Sequence, residues 1–126
     1  MARPVLDTRS HPDAATVLSK AVGRAAQRLG LSRSLLAQVL GVSAPTISRL
    51  YQGKYQLDPD RKEWEFALLF LRLFRSLDSI VGDEQTARAW LNSPNQGLGE
   101  RPIELIPTTE GLVRVVHYLD ASRGLV

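Results

Sequence analysis

The residues best suited by type and spacing to bind another molecule lie in a short segment, residues 33–51, with the sequence RSLLAQVLGVSAPTISRLY. Its distinctive positions are the small residue Ala37, Gly41 four residues later, and Ile47 six residues further on. A small residue permits close approach of two helices, a glycine permits a left-handed turn, and a branched residue anchors the second helix in the core. This spacing predicts a helix-turn-helix.

Residues suited to catalysis or metal binding are scarce. The chain has no cysteine and only two histidines, His11 and His117, and no metal-ligand spacing links them. We find no glycine-rich phosphate loop after a strand pattern and no nucleophile–base pair at suitable spacing. The sequence therefore predicts a protein that is not an enzyme and has no metal or other cofactor.

The charge of the 126-residue chain is divided unevenly. Residues 1–57 carry 8 Lys/Arg and 2 Asp/Glu, a net charge of +6, whereas residues 58–126 carry 8 Lys/Arg and 11 Asp/Glu, a net charge of −3. A basic front half favours a polyanionic partner, and an acidic back half favours a different one. Chance variation in surface charge is the alternative explanation.

Apolar segments long enough for export or membrane insertion are not expected. The first 15 residues contain no apolar signal-peptide core. The most apolar run, residues 66–71, is far shorter than the roughly 20 residues of a membrane-spanning helix. We therefore expect a cytoplasmic protein without a membrane partner.

Helical periodicity runs through most of the chain and predicts an all-α fold, with an N-terminal helix-turn-helix bundle followed by a small helical C-terminal domain. Apolar residues at helical spacing predict a first helix over residues 14–29. Ser32 and Ser43 are expected to cap the next two helices, each of which a glycine closes. The predicted units are a flexible arm, a DNA-binding domain, a central helix and a C-terminal domain, over residues 1–12, 13–57, 58–82 and 83–126.

The central helix is expected to begin at Asp58-Pro59 and to run to about Val81. Its middle, residues 66–71, is apolar on every side, and such a helix must be covered all round. A chain of this size hardly supplies that cover. We therefore expect a homodimer, or a higher even oligomer, built on residues 64–81.

The last third of the chain combines two predicted helices with a long connection. The helices are expected over residues 84–91 and from Thr108 or Thr109 to about Ser122. Between them, residues 92–107 contain two glycines and three prolines and are expected to be irregular. A connection of that length in a compact domain points to a function.

The helix-turn-helix segment resembles the Xre (phage-repressor-like) family over roughly residues 14–57, most closely in GVSAPTISRLYQGK. The resemblance implies that the second helix of the motif enters the major groove. The residues expected to face DNA or its phosphates are Arg33, Ser43, Ala44, Thr46, Ser48, Arg49 and Lys54. Of these, Arg33, Arg49 and Lys54 are expected to reach phosphates.

The chain departs from that family at two positions. The family often has glutamine near the start of each motif helix, and here those positions hold Arg33 and Ala44. Since alanine can only touch a thymine methyl, we expect base discrimination by this helix to be modest. The alternative is a helix-turn-helix that has kept its shape and serves only in oligomerisation.

The back half resembles the toxin-binding domain of the MbcA/ParS/Xre antitoxins. The similarity covers residues 63–126 and is carried by Trp90-Leu91, Pro94-Asn95, Leu98-Gly99, Arg101-Pro102, Leu105 and Glu110-Gly111. It implies an antitoxin of a type II toxin–antitoxin system that also represses its own operon through operator DNA. The implied partner is a RES-domain toxin, an enzyme that consumes NAD or transfers from it, and whose active site the antitoxin blocks. A stand-alone repressor with no toxin partner is the alternative.

The expected toxin-binding residues are Asn95, Leu98, Arg101, His117, Asp120, Arg123, Gly124, Leu125 and Val126. The tail that follows the last helix is the favoured plug for the toxin's active site, and the loop over residues 95–107 is the alternative. Arg101 is expected either to contact the partner or to be held by a carbonyl or carboxylate. Trp90 is expected to be ordinary core.

Overall fold

The structure, a computed structural model, describes residues 13–124. Within them the chain forms seven helices: α1 Ala14–Arg28, α2 Arg33–Leu40, α3 Ala44–Tyr51, α4 Lys62–Val81, α5 Glu84–Asn92, α6 Pro102–Leu105 and α7 Thr109–Ser122. The described residues form no strand longer than one isolated antiparallel bridge between Asn95 and Glu100. The predicted all-α class is confirmed. The expected flexible arm, residues 1–12, lies outside the described residues.

Local signals position the first three helices as predicted. The hydroxyl of Ser32 accepts a hydrogen bond from the backbone N–H of Leu35 at 3.0 Å, and that of Ser43 accepts one from Thr46 at 3.2 Å. Such caps each contribute about 1 kcal/mol to helix stability. Gly41 has a left-handed φ of 76°, which other residues rarely adopt. These positions make the sharp turn between α2 and α3.

The expected start of the central helix was wrong, because α4 begins at Lys62. The carboxylate of Asp58 accepts a hydrogen bond from the backbone N–H of Asp60 at 2.9 Å, which makes a local turn instead of a helix cap. The buried carboxylate of Glu63 then accepts bonds from the Tyr55 hydroxyl and from the Asp58 N–H. Together these bonds fix an extended connection before α4.

A single hydrophobic core runs through the described residues, with α4 at its centre between α1, α2 and α7. Phe70, Leu73 and Leu77 of α4 have no exposed surface, although only one chain is present. The expectation that one chain hardly supplies the cover for α4 was therefore wrong, whereas the homodimer that we inferred from it stays a prediction. The C-terminal helices supply the cover that we attributed to a partner, and among the large apolar side chains at the middle of α4 only Leu68 stays about half exposed, at 49%.

The side chain of Arg88 joins α5 to the C-terminal end of α1. The Arg88 guanidinium of α5 donates hydrogen bonds to the carbonyls of Arg28 at 2.8 Å and of Gln27 at 3.0 Å. The last carbonyls of a helix lack partners within the helix, so Arg88 completes the C-terminus of α1. Glu84 lies 3.6 Å from Arg88 and 3.5 Å from Arg28 and links the same elements.

Candidate functional surfaces

The second helix of the motif, α3, has one buried face and one open face. Ile47 and Leu50 are 0% and 7% exposed and pack into the core. Because successive residues are about 100° apart around a helix axis, the opposite face carries Pro45, Arg49 and Gln52. All three are exposed. This open face is the one that a DNA groove would receive.

The hydroxyl groups predicted to face DNA already have partners within the protein. The Oγ of Ser43 and the Oγ1 of Thr46 lie 2.8 Å apart and share a hydrogen bond. The Oγ of Ser48 accepts a bond from the Arg33 guanidinium at 3.2 Å. Ala44 is exposed beside them. The predicted residues thus lie together at the start of α3, and two of the hydroxyls serve its N-terminus.

Arg33 is held on the flank of α3 by an aromatic ring. Its guanidinium carbon lies 5.1 Å from the ring centroid of Tyr51, a cation–π contact. The Tyr51 hydroxyl donates to the Gly23 carbonyl of α1 at 3.3 Å. Burial raises the pKa of Tyr51, and the neighbouring Arg33 lowers it in part. We did not predict this role of Tyr51 in positioning Arg33, because helical spacing does not show which cation an aromatic ring contacts.

The surface around α3 is strongly cationic. Residues 14–57 contain six Lys/Arg and no Asp/Glu: Lys20, Arg24, Arg28, Arg33, Arg49 and Lys54. Lys20 and Arg24 line a groove of about 220 Å³ with Leu50 and Tyr51, at the end of α3. Arg28 is paired with Glu84, and the other five cations give this half a positive field that attracts a polyanion.

The connection between α5 and α7 is folded, although we predicted it to be irregular. The Asn95 side chain accepts a hydrogen bond from the Leu98 N–H at 3.0 Å, and its backbone carbonyl accepts one from Gly99 at 2.8 Å. Leu98 is buried, and its carbonyl accepts a bond from Arg114 of α7 at 2.8 Å. Leu98 therefore anchors this loop to α7, and the exposed residues on either side of it form the outer surface of the loop.

An aromatic pair supports the same loop. Trp90 of α5 and Tyr118 of α7 stack with their ring centroids 6.3 Å apart. Both are half-buried, so Trp90 is at the edge of the core and not within it. The backbone of Gly97 lies against the Tyr118 ring. His117 is exposed on α7 beside Tyr118.

Two of the predicted toxin-binding side chains have ionic partners within the chain. Arg101 is paired with the carboxylate of Glu104. Of the two expectations for Arg101, the structure therefore shows a contact with a carboxylate of the same chain. Asp120 is only 8% exposed, and its carboxylate accepts hydrogen bonds from Arg72 and from the Ser76 hydroxyl. Asp120 therefore holds α7 against α4 and does not face outwards as its assignment to a binding surface requires.

The end of α7 opens onto a groove along α4. Arg123 donates to the Ser76 hydroxyl at 2.9 Å and is itself exposed. The groove has a volume of about 630 Å³ and is lined by Glu65, Leu68, Leu69, Leu71, Arg72, Arg75 and Arg123. Gly124 follows with a left-handed φ of 79°, and the predicted residues Leu125 and Val126 lie outside the described residues.

The start of α7 depends on a glycine. A Cβ atom on Gly111 would lie 2.0 Å from the carbonyl oxygen of Leu105, at the end of α6. That oxygen also accepts a bond from the Thr108 hydroxyl, which caps α7 through the Gly111 N–H at 3.0 Å. The Glu110-Gly111 pair of the sequence motif therefore reflects close packing of α6 on α7.

Neither a membrane helix nor a metal cluster appears in the part of the chain that the structure describes. No helix there is long and apolar enough to cross a membrane. Within residues 13–124, no group of three or more His, Asp or Glu side chains is arranged to hold a metal ion.

The fold and its two surfaces define a helical protein in which a helix-turn-helix is packed against a small loop-bearing bundle. Comparison with known families identifies both parts. Residues 8–72, more than half of the chain, match the antitoxin Xre-like helix-turn-helix domain. Residues 76–124 match the antitoxin Xre/MbcA/ParS C-terminal toxin-binding domain. The chain belongs to this Xre/MbcA/ParS antitoxin family.

One solved structure and one curated protein are also similar. The chain resembles a chain in the crystal structure of the M. tuberculosis MbcT-MbcA toxin–antitoxin complex, with a TM-score of 0.64 and 26% sequence identity, over 87% of this chain and 97% of that one. A 41-residue segment, 32% of this chain, is 51% identical to 6-hydroxy-3-succinoylpyridine 3-monooxygenase HspA of Pseudomonas putida (strain DSM 28022 / S16). That segment spans only 13% of the enzyme's length.

Proposed function

We propose that the protein neutralises a RES-domain toxin by binding at its NAD-dependent active site, and that it does so without catalysis of its own. The match of residues 76–124 to a toxin-binding domain is the observation that supports this most. Within this domain, the folded loop at Asn95 and the exposed face of α7 provide a preformed contact surface. A preformed surface loses little conformational entropy when it binds.

The contact surface in this proposal has a centre and an edge. The centre is the exposed part of the loop over residues 95–101, where Gly97 lies against the Tyr118 ring, together with the exposed His117, which precedes Tyr118 on α7. The edge is Arg123 and the residues that follow it. We favour these following residues as the group that enters the toxin's pocket.

Co-expression tests the proposal and separates the two parts of the surface. Cells that express a RES-domain toxin should stop growing and lose NAD, and the full chain should restore both. A chain lacking residues 123–126 should fail to restore them while it keeps its helical circular dichroism spectrum. The control is Gln38→Glu, an exposed change on α2, which should protect fully. Full protection by the truncated chain would move the plug to the loop over residues 95–107. No protection by the full chain would contradict the function itself.

We also propose that the front half binds operator DNA and represses the chain's own operon. The excess of Lys/Arg in residues 14–57, which include α3 and contain no Asp/Glu, supports this proposal. Binding of the upstream DNA should weaken steeply with salt, because each phosphate contact releases counterions. Fluorescence anisotropy across a salt series measures that slope. Absence of binding would contradict the DNA-binding function and leave toxin neutralisation standing, whereas binding with no salt dependence would contradict the predicted phosphate contacts.

A stand-alone repressor is the second candidate function. Such a repressor would use the same DNA-binding surface but would form no stable complex with any RES-domain protein. Co-purification with the toxin, together with rescue of growth, would decide for the antitoxin.

A further inference from the structure

If the front half binds DNA as proposed, the orientation of α3 determines which of its side chains can distinguish one base pair from another. The buried residues Ile47 and Leu50 fix the orientation of the helix. Arg49 lies on the opposite, exposed face, in one row with Pro45 and Gln52, which are four and three residues from it. A side chain on this row faces the groove and can approach base edges, which carry the sequence information that phosphates lack.

The other residues predicted to face DNA at the start of α3 are less suited to reading bases. Ala44 has no hydrogen-bonding group. The hydroxyls of Ser43 and Thr46 bond to each other, and Ser43 also caps the helix. Ser48 accepts the bond from Arg33 on the flank. Of the residues nominated from the sequence on this helix, Arg49 has the largest number of donors.

Arg49 is also held in a defined position. Its guanidinium donates a hydrogen bond to Thr46 Oγ1 at 3.2 Å, and that hydroxyl belongs to the capped first turn of α3. A guanidinium carries five N–H donors in a rigid plane, so one such bond leaves four. A side chain that is ordered before binding loses less entropy when it meets its target.

The two other cations of the motif lie where phosphates would be. Arg33 is on the flank of α3 against Tyr51. Lys54 lies beyond the end of α3 and is exposed. Both can contact the backbone of DNA while α3 occupies the groove between the strands.

We propose that Arg49 is the specificity-determining residue of this protein and recognises a guanine in the major groove through its O6 and N7 atoms. This bidentate pairing is the commonest specific contact between proteins and DNA, and it distinguishes the right base from a wrong one by about 5- to 150-fold. The assignment differs from the phosphate contact that the charge of Arg49 suggests.

The test uses duplexes selected by the full-length wild-type protein from a random pool, followed by substitution of each base pair in turn. Binding is measured by anisotropy for wild type, Arg49→Ala, Arg49→Lys and the matched control Lys54→Ala. Replacing one particular G·C pair should weaken wild-type binding about 5- to 150-fold. With Arg49→Ala the same replacement should change binding less than about twofold, and Arg49→Lys should discriminate less than wild type.

Salt dependence supplies a second readout. Lys54→Ala should weaken all duplexes alike and reduce the salt slope by about one, whereas Arg49→Ala should leave the slope nearly unchanged. Thermal unfolding confirms that each variant is folded.

Three outcomes would contradict base recognition by Arg49 or the DNA binding on which it depends. If Arg49→Ala weakens all duplexes equally and the G·C penalty persists, Arg49 is a phosphate contact and the inference is wrong. Wild-type binding without any G·C preference would also overturn it, while DNA binding itself would stand. Absence of wild-type binding to any duplex would remove the DNA-binding function and this inference together.

Discussion

The carboxylate of Asp120 has its partners inside the protein, where Arg72 lies 2.8 Å away and the Ser76 hydroxyl 3.3 Å away. Arg123 reaches the same Ser76 hydroxyl. Removal of one partner from a buried polar group costs more than the bond contributed, because the remaining groups lose their solvation and gain nothing. Asp120 therefore fixes the position of α7, which carries the exposed His117. In the proposed toxin complex it would act only through that helix.

Asp120→Asn should lower the free energy of unfolding by about 1–3 kcal/mol. We expect the lower part of that range, because the Arg72 side chain is 56% exposed and water replaces part of the lost interaction. Urea unfolding measures the change. The matched control is Asp78→Asn, an exposed aspartate on α4, which should change stability by less than about 0.5 kcal/mol. Equal stability of the two variants would contradict the structural role of Asp120.

At the scale of elements, the connection between α3 and α4 depends on one hydrogen-bonded pair. The Tyr55 hydroxyl donates to the buried carboxylate of Glu63, which also receives the Asp58 N–H. These bonds replace the helix turn that Asp58-Pro59 was expected to begin. They set the direction in which α4 leaves the helix-turn-helix domain.

The Tyr55 hydroxyl should make the stability of the protein depend on alkaline pH. Burial, and then the hydrogen bond to Glu63, raise the pKa of Tyr55 from 10.0 to about 12. A pKa raised by folding means that the fold favours the neutral phenol. Its contribution to stability is therefore complete below pH 10 and is lost as the pH rises from 10 to 12.

Tyr55→Phe removes that contribution and provides the measurement. Wild type should be more stable than Tyr55→Phe at pH 8, and urea unfolding should show the difference shrinking between pH 10 and 12. Tyr118→Phe, which changes a tyrosine on another element, is the control for general alkaline effects. A difference between wild type and Tyr55→Phe that stays constant up to pH 12 would argue against a neutral phenol bonded to Glu63.

At the scale of the whole molecule, the proposed DNA binding requires that two copies of α3 be brought together. Half-sites of a two-fold operator lie about 34 Å apart, so two copies are needed. We propose a homodimer through the outward part of α4, centred on Leu68. The groove beside Leu68 holds Arg72, Arg75 and Arg123 but only one acidic residue, Glu65.

Leu68→Lys should convert the dimer to a monomer, because it places another cation among these arginines at the proposed interface. Ile80→Lys is the matched control, since Ile80 is also about half exposed, at 44%, but lies on another side of α4. Light scattering at micromolar concentration measures both. The wild-type dimer should also become stronger as salt screens the clustered arginines. A monomeric wild type in the absence of toxin would contradict this interface.

The parts of this protein that the sequence by itself determined are those in which cause and effect lie within one helical turn. Ser32, Ser43 and Gly41 marked the ends of α2 and α3 correctly, because a cap or a left-handed turn involves residues one to three positions apart. The spacing of Ala37, Gly41 and Ile47 likewise predicted the helix-turn-helix. The resemblance of the later segments predicted the family, which the comparisons confirmed.

The tertiary structure alone decided which predicted side chains remain available to a partner. Asp120 and Leu98 are buried. Arg72, 48 residues away in sequence, donates to the Asp120 carboxylate, and Arg114, 16 residues away, donates to the Leu98 carbonyl. The cover of α4 has the same origin, since α7 packs on it from more than 25 residues away in sequence. The periodicity of apolar residues indicates how apolar each face of a helix is, but it does not indicate whether the same chain or a second copy covers that face. That depends on contacts between distant residues, and these exist only once the whole core has formed.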